Sequence, residues 1–196
     1  MPADPAGGTA LLLIDLQKAI DDPRWAADGP RNNPGAEAKA AALLAAWRRG
    51  GRPLVHVRHD STSPGSSYHA GGHGHAFKPE TAPLPGETVV GKRTPDAFTG
   101  TGLEERLRAA GVGTLVVAGV ITNNSVESTV RAAACRGFRV LLAEDACFTF
   151  ARRDHAGVLR SAAEVHAMSL ANLDGEYAEI VTAGVLLAGS SPDGPA

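Results

Sequence analysis

Six short runs rich in Val, Leu and Ile punctuate the chain, and several are apolar at every position rather than at alternate ones. A strand buried on one face alternates, whereas one that is apolar on both faces must be covered on both, as in a parallel sheet sandwiched by helices. The runs are Ala10 to Leu16, Pro53 to Arg58, Thr88 to Gly91, Thr114 to Gly119, Arg139 to Ala143 and Glu179 to Thr182. Segments of helical periodicity lie between them at Gly35 to Arg49, Gly102 to Ala110, Asn124 to Arg136 and His155 to Ala171. Gly50-Gly51, Gly111 and Gly137 stand as C-terminal stops. The alternation predicts an α/β fold: a three-layer, doubly wound, mostly parallel six-stranded sheet with helices on both faces.

A chain of 196 residues suits one domain, expected over residues 10–188, with Pro- and Gly-rich ends (1–9 and 189–196) as flexible arm and tail. A net charge of -2 and no Lys/Arg stripe argue against nucleic acid as a partner. No apolar run is long enough to cross a bilayer, and the opening Met-Pro-Ala-Asp-Pro lacks the pattern of an export signal, so the cytoplasm is the expected compartment and no membrane partner is implied. Cys135 and Cys147 are expected to be reduced packing residues, Cys147 in the loop after the fifth strand.

In doubly wound sheets ligands bind beyond the carboxyl ends of the strands. That rule selects Asp15, His59-Asp60, Lys92 and the stretch from Val120 to Ser125. The long connection from His59 to Glu87 is expected to cover the site. A carboxylate such as Asp15 at the end of an apolar strand is costly unless paired or used, and alone it reads equally as a cap or as a catalyst. Lys92 alone reads as a solvated surface residue. The turn before the third helix can aim backbone amides at a developing oxyanion, with Ser125 as nucleophile or simply as a helix cap.

Further segments add specificity. Leu-Leu-Leu-Ile-Asp-Leu-Gln, His-Val-Arg-His-Asp-Ser, Phe-Lys-Pro-Glu, Gly-Lys-Arg-Thr-Pro-Asp-Ala-Phe, Gly-Val-Ile-Thr-Asn-Asn-Ser-Val-Glu-Ser-Thr, Glu-Asp-Ala and Val-His-Ala-Met-Ser-Leu-Ala-Asn-Leu follow one another between Ala10 and Thr182. Together they resemble the isochorismatase-like hydrolase superfamily, and its cysteine amidohydrolase branch more closely than the isochorismatases themselves. The resemblance implies a triad at Asp15, Lys92 and position 125, a non-proline cis peptide at Val120-Ile121, and an oxyanion site at the Ile121 and Ser125 amides. It implies hydrolysis of a C-N bond in a small amide, ureide or lactam through an acyl-enzyme, without a cofactor, in a homodimer or homotetramer.

The departure is at position 125, where that branch carries cysteine. A serine hydroxyl is barely ionised at neutral pH, while a thiol near pKa ~8.5 is readily drawn into the thiolate by a lysine. An engineered Cys-to-Ser change, a natural Ser/Lys hydrolase and an inactive small-molecule-binding protein all fit, in that order. A vinyl-ether hydrolase of isochorismatase type, using Asp15 as acid, is the alternative chemistry.

His56, His59, Asp60, His73 and His75 raise a metal hypothesis, but His59-Asp60-Ser61 departs from the Asp-x-His motif of nicotinamidases, so no metal is expected. Gly71-Gly72-His73-Gly74-His75 reads as a flexible lid. Gln17, His59, Phe77 and Phe98, with Trp25, are candidates to contact the substrate.

Overall fold

The computed structural model describes residues 8–189. The strands of its main sheet are β1 (Gly8–Ile14), β2 (Leu54–His59), β3 (Thr88–Lys92), β4 (Val112–Val120), β5 (Arg139–Phe148) and β8 (Glu179–Val181), and the helices are α1 (Ala36–Arg49), α2 (Leu103–Ala109), α3 (Glu127–Ala134), α4 (Ala162–Ala171) and α5 (Ala183–Ala188). A small hairpin, β6 (Arg152–Arg153) with β7 (Leu159–Arg160), stands apart. The six strands run in the order β3-β2-β1-β4-β5-β8, and every pairing is parallel.

Alternation along β1 divides the core. Leu11 and Leu13 face α1, whose Ala36, Ala40, Leu43, Leu44 and Trp47 form one buried stripe at helical spacing, and α5 joins them through Ala183, Leu186 and Leu187. Ala10, Leu12 and Ile14 face the opposite layer, which α2 supplies with Leu103 and Leu107 and α3 with Val130 and Ala133. Each large aliphatic side chain removed from water in this way stabilises the fold by roughly 1.5–3 kcal/mol. None of the helices is long and apolar enough to cross a membrane among the described residues.

Several expected boundaries move, each for a local reason. Gly8 and Thr9, expected in the arm, belong to β1, where the Gly8 amide donates to the Gly111 carbonyl at 2.8 Å. Residues 1–7 and 190–196 of the expected arm and tail lie outside the described residues, and Gly189 caps α5. The segment from His155 to Arg160 is not helical. The Asp154 carboxylate accepts from the Ala156 and Val158 amides and Gly157 sits at φ 82°, which closes the β6–β7 turn instead. Helix α4 starts only after Ser161, which forms a capping box with Glu164. Strand β5 runs on to Phe148, so Cys147 lies in the strand rather than the loop after it, and Cys135 is exposed at the end of α3 rather than packed.

The order of strands reverses direction on either side of the β1–β4 pair, since the chain winds from β1 outward to β3 and then returns to β4. The crevice this opens lies above the ends of β1 and β4. Gly119 lets the two strands meet closely there: a Cβ at its φ of +131° would come within 2.2 Å of the Ile14 carbonyl oxygen.

Candidate active site

Asp15 follows β1 directly and adopts a left-handed backbone, φ 52°, a conformation that aspartate tolerates better than most residues. Its carbonyl accepts from the Gln17 amide at 2.8 Å and from the Tyr68 hydroxyl at 3.3 Å, which fixes the bend and turns the side chain toward the crevice. Lys92 closes β3, two strands away from β1. Its side chain is 0% exposed and crosses beside His59, the last residue of β2, to reach Asp15.

The Lys92 ammonium lies 2.8 Å from Asp15 Oδ2 and donates to the Thr94 carbonyl at 3.1 Å and to Ser125 Oγ at 3.3 Å. A fourth contact, 3.4 Å to His59 Nδ1, is the longest, and three N–H donors cannot serve four acceptors fully. Burial lowers the pKa of His59, and the neighbouring Lys92 charge lowers it further, so the ring is neutral near pH 7 and Nδ1 can accept from the lysine. Burial likewise raises the Asp15 carboxyl above its ordinary value, against the opposing pull of Lys92, the Ser125 hydroxyl and His59. Asp15 Oδ1 is buried and has no hydrogen-bond partner. An acceptor left open beside a paired one is suited to take or give a proton.

Ser125 sits on a single π-helical turn, Thr122–Val126, between β4 and α3, and the Val120–Ile121 peptide bond that leads into the turn is cis. The turn is braced from behind. Thr122 Oγ1 is 2.9 Å from His166 Nδ1, Ser169 Oγ lies 2.7 Å from Glu127 Oε2, and the Thr149 hydroxyl donates to Asn123 Oδ1 at 2.5 Å. Such wiring is what a π turn at a functional position needs, because its backbone cannot rely on an α-helical ladder.

Asp15, His59, Ile121 and Ser125 line one cavity of about 310 Å³, with Trp25 and Tyr68 as its aromatic wall. That volume is at the small end of ligand sites, which run from about 300 to 1,000 Å³. Three expected substrate contacts are elsewhere. Gln17 is 0% exposed, and its amide donates to the His59 and His75 carbonyls and accepts from the His59 amide, so it ties the loops beyond β1 and β2 together. Phe98 is core, packed on Phe138 at 5.9 Å between ring centres, and Phe77 packs edge-on against His56.

Two residues of the expected lid are closely held. Gly74 has no room for a Cβ, which would meet the Ser67 carbonyl at 2.3 Å, and His75 is held by Asp60 at 2.6 Å. Among the described residues no three His, Cys, Asp or Glu side chains come together as a metal-binding group. His56 pairs with Glu87 at 2.9 Å rather than turning toward the cavity.

The sequence reading missed Tyr68. Its signal was a large aromatic, one of two with Phe77, within a connection otherwise rich in Ser, Gly and Pro, and it is 6% exposed with its ring edge-on to His59.

The isochorismatase domain model matches residues 9–174, a span that includes the β1 end, Lys92, the π turn and α4. The chain belongs to the isochorismatase family. It is 36% identical over 178 residues to the isochorismatase family protein YrdC of Bacillus subtilis, a match covering 91% of this chain and 94% of that protein. A solved structure of the isochorismatase family from Chromobacterium violaceum is 57% identical, with a TM-score of 0.90 over 97% of this chain and 98% of that one. Streptothricin hydrolase from Streptomyces noursei is 35% identical over 144 residues, 72% of this chain and 50% of that protein. Members of the isochorismatase family are hydrolases, and the parallel sheet with helices on both faces is the architecture this chain shares with them.

Proposed function

We propose that the cavity is built to cleave a C-N bond in a small amide, ureide or cyclic amide by acyl transfer through position 125. The observation that carries this reading is the Lys92 ammonium, 2.8 Å from Asp15 Oδ2 and 3.3 Å from Ser125 Oγ inside a cavity of small-molecule size.

With a thiol at position 125, Asp15 takes the thiol proton and the thiolate attacks the carbonyl carbon, forming a C-S bond. The charge gathering on oxygen falls toward the backbone amides of Ile121 and position 125. The C-N bond breaks as the Asp15 carboxyl returns the proton to the leaving nitrogen. Asp15 then takes a proton from water, whose oxygen attacks the thioester, and the C-S bond opens to release the acid and the free thiolate. The raised Asp15 pKa serves both directions of transfer. With serine in place the geometry stands but the nucleophile is weak, because a hydroxyl does not ionise near neutral pH. The resemblance of the whole sequence supports a homodimer or homotetramer as the working unit, which sedimentation tests.

The test is ammonia or carboxylate release over a panel of small amides and lactams by the chain and by its Ser125→Cys variant. Turnover confined to the cysteine variant, and lost again on Asp15→Asn, is the expected result. A folded cysteine variant that turns over nothing on the panel overturns the reading.

One observation favours a second chemistry. A buried carboxyl with a raised pKa and an unpartnered Oδ1 can also protonate a vinyl ether, with no nucleophile needed. Vinyl-ether cleavage by the unaltered chain, abolished by Asp15→Asn and indifferent to Ser125→Cys, distinguishes it.

A further inference from the structure

Beside the reaction cavity lies a second hollow of about 380 Å³, and Arg93 lines both. The second hollow is cationic: Arg58, Arg93, His69 and His75 stand around a single carboxylate, Asp60. That carboxylate is already committed. Its Oδ1 accepts from Arg58 Nε at 2.8 Å and lies 2.6 Å from His75 Nε2. Its Oδ2 packs against Gly91, where a Cβ would come within 2.3 Å. Counting the arginines alone, two guanidinium charges face one carboxylate.

Arg93 is the uncommitted one. Arg58 holds Asp60, whereas among the described residues no hydrogen bond or ion pair engages the guanidinium of Arg93, which is an exposed residue. Exposure and the lack of a partner alone would make it one more solvated arginine, as Arg49, Arg106 and Arg152 are. This one stands at the threshold between the reacting atoms and a hollow with surplus positive charge, next in sequence to the buried Lys92. The Ser61 hydroxyl and the exposed Thr62 add polar lining. A planar guanidinium offers two parallel N–H donors, the complement of a carboxylate.

We propose that this hollow is an anion subsite, and that the substrate cut at position 125 is an amide bearing a carboxylate, gripped by Arg93 while its amide carbon lies at Ser125. The bond that is cut rests on the amide-hydrolase reading above, and the anion site does not.

Calorimetry on the full chain, with Ser125 retained, needs no turnover. The probes are straight-chain amido acids, succinamate, glutaramate and adipamate, each against its neutral diamide. At least one acid is expected to bind about tenfold tighter than its diamide. The advantage disappears in Arg93→Ala and returns in part in Arg93→Lys. Equal binding of every acid and diamide, or an advantage that survives in Arg93→Ala, overturns the subsite. The same pairs given to Ser125→Cys separate the two proposals. Hydrolysis of acids and diamides with equal kcat/KM removes the subsite and leaves the amide reading standing. Absence of any hydrolysis, with the Arg93-dependent preference still present in binding, removes the amide reading and leaves the subsite standing.

Discussion

At the scale of the residue, the site is governed by one buried ion pair. Asp15 and Lys92 are 3% and 1% exposed, and the cost of taking two charges out of water is offset only while each has the other. Replacing Lys92 by methionine keeps the length of the side chain and removes its charge. At neutral pH this is expected to destabilise the fold by roughly 3–5 kcal/mol, because the Asp15 carboxylate is left buried and unpaired. The pH dependence has a definite sign. Burial already raises the Asp15 pKa above 3.8, and without Lys92 the rise is larger. A carboxyl whose folded-state pKa is raised favours the fold fully below its unfolded pKa, and that contribution is lost as pH climbs through the folded value. The gap in thermal midpoint between the parent chain and Lys92→Met is therefore expected to be small near pH 4 and to widen toward pH 7. A gap that is constant over that range contradicts the pairing.

At the scale of the element, the site depends on β1 and β4 ending side by side, and Gly119 sets their approach. Gly119→Ala places a methyl group within 2.2 Å of the Ile14 carbonyl at a positive φ, so a loss of about 2 kcal/mol or more is expected, read from chemical denaturation. Wild-type stability in that variant contradicts the close approach. The elements themselves were largely legible in the sequence, since a strand buried on both faces announces itself by continuous Val and Leu, and the β1, β4 and β5 runs are of that kind. The six-residue α5 was not, because Ala-Gly-Val-Leu-Leu-Ala carries no pattern long enough to separate it from the tail. The β6–β7 hairpin was hidden in what read as the start of a helix: turn chemistry at Asp154 and Gly157 overrides the segment's helical reading.

At the scale of the whole molecule, residues far apart in the chain are gathered by the winding of the sheet. Asp15, Lys92 and Ser125 could be picked from sequence because each stands at or just beyond a strand's carboxyl end, where the topology concentrates ligand sites. The wall of the cavity was legible only in part. Trp25 could be picked, but Tyr68 comes from an irregular connection with no period to mark which way a side chain turns, while Gln17, at a telling position, is consumed in satisfying loop backbone. The central claim is that this gathering produces a site fitted to a thiol at position 125. It is tested most directly by the pH dependence of iodoacetamide alkylation of Ser125→Cys in a Cys135→Ser background, since Cys135 is exposed while burial pushes Cys147 up to about 12. The account predicts that the new thiol titrates below the ordinary value of about 8.5 and that Lys92→Met raises it. A thiol that titrates at or above that value, unmoved by the loss of Lys92, would contradict it.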